Sequence, residues 1–246
     1  MARCPNVQLC LEPGASSHPC FEIVQYQKTN FGATSYDDFQ LPEPWTGEID
    51  RAAILFIGSN PSIGDDTHSL GSSSDEEVWD SHHFVFGGGS KTYTIDGKYT
   101  TRPNGQRIGR AVSTWAGVRK RAEELIIDRP VIPGADYALT EVVHCKSRNE
   151  VGVKLALDTC TDMHFDSIMR IAPAKLLVPL GKARQRMRDM YRIPNEPGII
   201  EMEIGGRMRL IAPLGHPTGP EIRTFGAVYP NDLIRLREAV SARRSM

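Results

Sequence analysis

The chain predicts an α/β fold: a single domain of three layers, α/β/α, around a central, mostly parallel four-stranded sheet. Three observations carry this expectation. Four short runs, at residues 52–57, 137–140, 174–179 and 208–212, are rich in aliphatic residues, as strands buried on both faces are, and too short for helices. Stretches with helical spacing alternate with them, which favours a parallel sheet covered by helices. Three of the runs lead directly into compact polar motifs, and in an open parallel sheet such motifs share the edge where ligands bind.

In chain order, residues 1–50 form a cysteine-bearing segment expected to pack on the domain. The first strand, Ala52-Ala53-Ile54-Leu55-Phe56-Ile57, ends in Gly58-Ser59-Asn60-Pro61-Ser62. Residues 62–104 are polar, with turn residues throughout and two low-complexity stretches, Gly71-Ser72-Ser73-Ser74 and Gly87-Gly88-Gly89-Ser90. A loop of that length in a compact domain usually has a functional role. Helical spacing resumes over 106–127, and the second strand, Tyr137-Ala138-Leu139-Thr140, runs into Glu141-Val142-Val143-His144-Cys145. A helix over 154–171 precedes the third strand at 174–179, and one over 182–191 precedes the fourth at 208–212. After the fourth strand comes Gly215-His216-Pro217-Thr218, then a last helix over 230–242 that opens with Pro-Asn-Asp.

A chain of 246 residues, 40% of them hydrophobic, can bury a full core. No apolar run approaches the ~20 residues of a membrane span, and Met1-Ala2-Arg3-Cys4 is not followed by the apolar core of a signal peptide. A cytoplasmic monomer with no membrane partner is therefore expected. The net charge of -1 gives no sign of a polyanionic partner by itself, but the charge is unevenly spread. From Arg170 onward 14 Lys and Arg face 7 Asp and Glu, against 15 and 23 in the preceding part. The excess includes Lys182, Arg184, Arg186, Arg188, Arg209, Arg223, Arg243 and Arg244, and suits either a phosphate-binding face or a solvated helix surface.

Disulfides do not persist in a reducing compartment, so five cysteines invite a metal or cofactor. Cys145 ends a strand, Cys160 lies in a helical pattern, and Cys4, Cys10 and Cys20 crowd the N-terminus. Thiolates from two such groups suit zinc or an iron–sulfur cluster, and ligand type alone does not choose between them. The alternative is that they are small buried core residues.

Asn60 projects into the mouth of the predicted sheet, where a neutral amide orients a water or holds a polar substrate; a plain Asn-Pro turn is the alternative. His216, in a loop stiffened by Pro217 and Pro220, is placed to donate to a developing oxyanion or to act as an acid or base near neutral pH. Phe84 and Phe86 adjoin the glycine run at 87–89, and a ring held there could stack on a flat heterocycle such as an extruded base. His82 and His83 read as surface residues rather than zinc ligands, because no carboxylate-rich motif accompanies them.

The order of these motifs resembles the uracil-DNA glycosylase superfamily, particularly its families that carry a 4Fe-4S cluster. Gly58-Ser59-Asn60-Pro61-Ser62 resembles the first active-site motif, and Gly215-His216-Pro217-Thr218 the C-terminal His-Pro-Ser motif. Thr140-Glu141-Val142-Val143-His144-Cys145-Lys146 is similar to the family's Thr-Asn-Val-Val-Lys-Cys segment, with Cys160 where a fourth cluster ligand is expected. The resemblance implies a monofunctional DNA glycosylase that extrudes a damaged base from single- or double-stranded DNA and hydrolyses its N-glycosidic bond in base-excision repair. It gives His216 the developing charge on the base and Asn60 the attacking water. Base binding falls to Gly58, Ser59, Ser62 and Glu141, with Phe84 or Phe86 stacking. Cys10, Cys20, Cys145 and Cys160 would hold a structural 4Fe-4S cluster, Cys10 being preferred to Cys4 as the first ligand.

The chain departs from that family at Glu141, which stands where an asparagine usually reads uracil. An ionised carboxylate only accepts hydrogen bonds, whereas a protonated one regains a donor. Altered base preference is the resulting expectation, with Glu141→Asn raising uracil release. The competing function is a DNA-binding protein of the same fold that grips a lesion or single strand without turnover. A Rossmann-like nucleotide enzyme fits less well, because no Gly-x-Gly-x-x-Gly cradle follows the first strand. A lyase activity also fits poorly, since Lys146, the one lysine within the motifs, is expected beside the cluster rather than at the sugar.

Overall fold

The structure, a computed structural model, describes residues 1–64, 70–86, 94–101, 106–107, 109–193, 198–220 and 224–241. The N-terminal segment contributes α1 (Pro5–Leu11), a 3-10 turn (Ala15–Ser17) and α2 (Phe21–Phe31). Then follow β1 (Trp45–Thr46), β2 (Ile54–Gly58), α3 (Asp75–His83), β3 (Thr94–Ile95), β4 (Tyr99–Thr100), α4 (Ser113–Leu125) and β5 (Tyr137–Glu141). The second half comprises α5 (Val153–Cys160), a π-helical turn (Thr161–Phe165), α6 (Asp166–Ile171), β6 (Leu176–Pro179), α7 (Ala183–Tyr191), β7 (Ile200–Ile204), β8 (Arg207–Ile211), α8 (Phe225–Val228) and α9 (Leu233–Ser241).

The protein is mixed α/β, and its main sheet has six strands in the order β1-β5-β2-β6-β8-β7. The four expected strands form its parallel centre, with Ile54 opposite Tyr137 and Leu176, and Leu176 opposite Leu210. The expected count of four is corrected by two antiparallel edges, β1 against β5 and β7 against β8. β1 is only two residues long and leaves no periodic trace. β7 alternates Ile200, Met202 and Ile204 with Glu201 and Glu203, the pattern of an edge strand with one wet face. It turns into β8 through Gly205 and Gly206, both at positive φ (61° and 76°), as a tight hairpin requires.

Successive residues of β2 point to opposite faces. Ile54 and Phe56 pack with Val118, Ala122 and Leu125 of α4 and with Leu236 and Val240 of α9. Leu55 and Ile57 pack with Ile168 and Met169 of α6 and with Ala183 and Met187 of α7. A β-strand's period of two therefore splits one apolar run between two helical layers.

Three further expectations change. Residues 62–104 hold α3, opened by a capping box in which Ser74 accepts from the Glu77 amide and Glu77 accepts from the Ser74 amide. The glycine run at 87–90 lies outside the described residues, as do Arg223, Arg243 and Arg244. Arg209, counted toward a basic face, is buried instead. Its guanidinium donates to the carbonyls of Ile204, Ala174, Met169 and Ala172, and so satisfies orphan carbonyls at the end of α6.

The N-terminal helices pack through Val7, Ile23 and Val24 against Val143, Val153 and Ala156. Gln27 ties the same region to the centre of the molecule, donating to the carbonyls of Gln40 (3.3 Å) and Lys146 (3.5 Å).

Candidate active site

At the carboxyl ends of the parallel strands the loops are stitched together by backbone hydrogen bonds. Val142 and Val143 donate to the carbonyls of Gly58 and Ser59, Ser147 to that of Pro61, and Gly181 to that of Leu214. The sheet thus continues past its strands and opens into a cavity of about 1160 Å³. Gly58, Ser59, Asn60, Ser62, Glu141 and His216 all line it, so three motifs distant in sequence meet in one place.

Asn60 is anchored by its amide nitrogen. Nδ2 donates to the carbonyl of Pro61 (3.0 Å) and to the carbonyl and hydroxyl of Ser147 (3.3 and 3.2 Å). The anchoring leaves Oδ1, an acceptor, as the atom available to a ligand.

His216 is clasped by two glycines. A Cβ on Gly181, at φ +50°, would lie 3.0 Å from the His216 Cβ, and one on Gly117 of α4 would lie 2.5 Å from the Pro217 Cβ. The Thr218 amide donates to Nδ1 at 3.3 Å, and the Thr218 hydroxyl lies 2.9 Å from the same atom. An amide N–H can only donate, so Nδ1 is the acceptor. The imidazole proton of the neutral ring is thereby assigned to Nε2.

The floor of the cavity holds two carboxyls with opposite leanings. Gly58 and Glu141 are partners in the β2–β5 register, and a Cβ on Gly58 would lie 2.0 Å from Glu141 Oε2. Only glycine leaves room for the carboxyl there. Oε2 is buried and has no hydrogen-bond partner among the described residues. Burial, and then the nearby Glu43 charge, raise the Glu141 pKa well above the ordinary carboxylate range. Both causes favour the protonated carboxyl.

Glu43 goes the other way. Burial opposes its charge, but the Lys146 ammonium at 2.9 Å and the Thr46 hydroxyl at 2.7 Å more than offset that and hold it at about 2. His82 and His83, expected on the surface, are buried in α3. Burial pushes His82 down to about 4, so it is neutral. Trp45, Trp79 and the two histidines form one ring cluster, with Trp79 stacked on His83 at 4.9 Å. Packing of this kind escapes a reading of surface histidines by motif alone.

Neither Phe84 nor Phe86 lines the cavity. Phe86 is buried in the core against Trp115 and Tyr137, and Phe84 packs edge-on to His83. The rings at the wall include Trp115 and His82, and the apolar groups include Val85, Val112, Leu139 and Leu180. Lys146, expected beside the cysteines, also lines the cavity, as do Lys182 and Arg184 at the start of α7 and Arg188 in its last turn. Sequence reasoning missed Glu43, Lys146 and Trp115 as site residues. Trp115 carried one usable signal, its place in a helical stretch facing the predicted strand ends.

All five cysteines are buried in one cluster. A second, small cavity is lined by Cys4, Cys20, Cys145 and Cys160, with His144, His164, Val143 and Ala156. Cys10 does not line it; its sulfur lies 3.2 Å from His18 Nδ1. Burial raises every one of these thiols, Cys20 to about 12 and Cys10 and Cys160 to about 11, and neighbouring thiols add to the rise at all but Cys4. The His144 amide donates to Cys160 Sγ at 3.3 Å. Four cysteines thus line one small cavity, each costly to ionise alone, and thiolates are the donors that soft cations and iron–sulfur clusters take.

No helix among the described residues is long and apolar enough to cross a membrane. Compared with known proteins, the chain matches no protein-family model and no curated protein.

Proposed function

We propose that the chain is a monofunctional DNA glycosylase that hydrolyses the N-glycosidic bond of a deaminated or damaged base. The observation that carries this reading is the convergence of Asn60, Glu141 and His216 on one cavity at the strand ends, where a ligand is expected in an open α/β sheet. A binding protein needs neither an anchored acceptor nor a histidine of fixed tautomer.

In this reading the base enters the cavity toward Glu141 and Gly58. His216 Nε2–H donates to a base oxygen on which negative charge grows as the bond breaks. Asn60 Oδ1 accepts from the attacking water and aims its lone pair at the sugar carbon, with Ser147 holding the amide in place. Trp115 supplies the aromatic wall in the role first expected of Phe84 or Phe86. Lys182, Arg184 and Arg188 at the rim suit the flanking phosphates.

The four sulfurs that line the second cavity, of Cys4, Cys20, Cys145 and Cys160, would hold the structural 4Fe-4S cluster. This exchanges Cys10 for Cys4 as the first ligand. When bound, the cluster fastens α1 and α2 to the β5–α5 region; Gln27 reaches from that assembly to the backbone of Lys146 in the active cavity.

The test is base release from labelled oligonucleotides carrying uracil, hypoxanthine, xanthine or an etheno base, single- and double-stranded. Wild-type protein should release at least one of them, and His216→Ala should lower the rate by about 10²- to 10³-fold, the cost of losing one charge-stabilising donor. Tight, salt-sensitive DNA binding with no release of any base would favour the non-catalytic reading instead.

A further inference from the structure

The cavity floor carries a more specific consequence. We infer that Glu141 is a neutral carboxylic acid that grips the extruded base through paired hydrogen bonds, so that the site takes bases with a lactam edge, a ring N–H beside a carbonyl. Its O–H donates to the base carbonyl and its C=O accepts from the N–H. The inference rests on the glycosylase reading for its substrate, though not for the state of Glu141 itself.

The geometry supports it at three points. The carboxyl lies in a slot that exists because position 58 has no side chain, and its Oε2 is buried without a partner among the described residues. An orphaned buried polar atom at a cavity wall costs free energy unless a ligand satisfies it. The charged group acting on it is Glu43 from the segment before β1, which is itself faced by Lys146 from the loop after β5 and His82 from α3, while His144 interacts with the Glu141 backbone. Lys146 is committed to Glu43 at 2.9 Å, and burial keeps His82 uncharged. Among the described residues no cation pairs with Glu141, while the anionic Glu43 and burial both keep the proton on it.

A protonated carboxyl presents a donor and an acceptor side by side, as an asparagine amide does, and thereby regains the donor that an ionised glutamate lacks. As the sugar–base bond breaks, its electron pair stays on the base and negative charge spreads to the exocyclic oxygens. The Glu141 O–H meets the lactam oxygen and His216 Nε2–H a second acceptor, the other exocyclic oxygen of uracil or a ring nitrogen of hypoxanthine, so both bonds strengthen in the transition state. The proton stays on Glu141, and the one that the attacking water gives up passes through solvent to the departing anionic base. A base with an amine in place of that carbonyl takes up no such charge there. Uracil and hypoxanthine place charge on the carbonyl that faces Glu141; cytosine and adenine can pair with the acid through an amine N–H and a ring nitrogen but gain no such stabilisation.

The experiment compares wild-type protein, Glu141→Gln and Glu141→Leu in single-turnover release of uracil, hypoxanthine, cytosine and adenine, from about pH 6 to about pH 10. Wild type should release the lactam bases at a rate that falls at the alkaline end as Glu141 ionises. Glu141→Gln, with an amide donor weaker than the acid, should cost about tenfold and remove the alkaline fall, whereas Glu141→Leu should cost about 10²- to 10³-fold. Equal loss in both variants, no loss in Glu141→Leu, or equally fast release of amino-bearing bases would overturn the inference.

A second measurement needs no substrate. The carboxyl ¹³C resonance of Glu141, assigned by its absence in Glu141→Gln, should be that of the acid at neutral pH, and a carboxylate resonance overturns the inference even where glycosylase activity stands. Should wild type release no base at all, the glycosylase reading fails separately. Binding of free uracil, kept by Glu141→Gln and lost in Glu141→Leu, then supports base reading by this residue; binding that ignores Glu141 overturns it.

Discussion

The two cavities differ most in how they treat their titratable groups. In the large one, two neighbouring carboxyls are driven apart, Glu43 down to about 2 by Lys146 and its hydrogen bonds and Glu141 well upward by burial. In the small one, all the thiols are driven the same way, upward. Divided shifts among like groups mark a site that keeps one ionised and one neutral for different tasks. A uniform rise among buried thiols is what burial by itself does to them, and it keeps each one neutral in the absence of a cation.

The sharpest way to break the comparison is at the small cavity, where the expected effect is all or none. Cys4→Ser should lose bound iron and sulfide, while Cys10→Ser, whose sulfur faces His18, should retain both. Equal iron in the two variants, or loss in Cys10→Ser alone, would restore Cys10 as the ligand.

Next comes the ion pair that divides the carboxyls. Lys146→Met leaves Glu43 without its cation in a largely buried setting, which costs about 3–5 kcal/mol when one partner of such a pair is removed. Chemical denaturation should show a loss of that order. A loss near zero would mean that the pair is too well solvated to organise the floor.

The smallest effect is graded with pH. His82 has a folded pKa of about 4, below the ordinary 6.5, so the stability lent by burying it neutral is complete above about 6.5 and is lost as pH falls toward 4. Glu43, held at about 2, extends the loss from about 4.5 downward. His144 and His164, held by burial at about 3 and about 4, lose stability over the same range while the raised Glu141 gains it, so the histidines together should lower thermal midpoints on acidification. His82→Gln should make the upper part of that fall shallower and leave the lower part, and an unaltered profile would count against a buried neutral His82.

The parallel centre of the sheet was legible because β2, β5, β6 and β8 each carry several aliphatic residues in a row, enough to survive any boundary error. The edge strands were not. β1 has two residues, and β7 alternates apolar and acidic residues over five, with Gly205-Gly206 as the overlooked hairpin mark. α3 was hidden in a polar stretch whose capping box, Ser74 to Glu77, was the one local sign of a helix. Asn60, Glu141 and His216 stood out because each follows a strand. Phe84 and Phe86 stood out for their rings alone, and the core and the His83 edge took them, leaving Trp115 at the wall.

By itself the sequence determined the α/β class, the strand-end motifs and the two groups of cysteines, since each rests on neighbours along the chain. Only the tertiary structure decided the burial of Glu141 beside Glu43, the company of Lys146 and the alignment of Cys4 rather than Cys10 with the second cavity. These depend on distances between residues far apart in the chain: Glu43 to Lys146, Gly58 to Glu141, Cys4 to Cys160. Burial and Coulomb energy are set by such distances, and no local pattern encodes them.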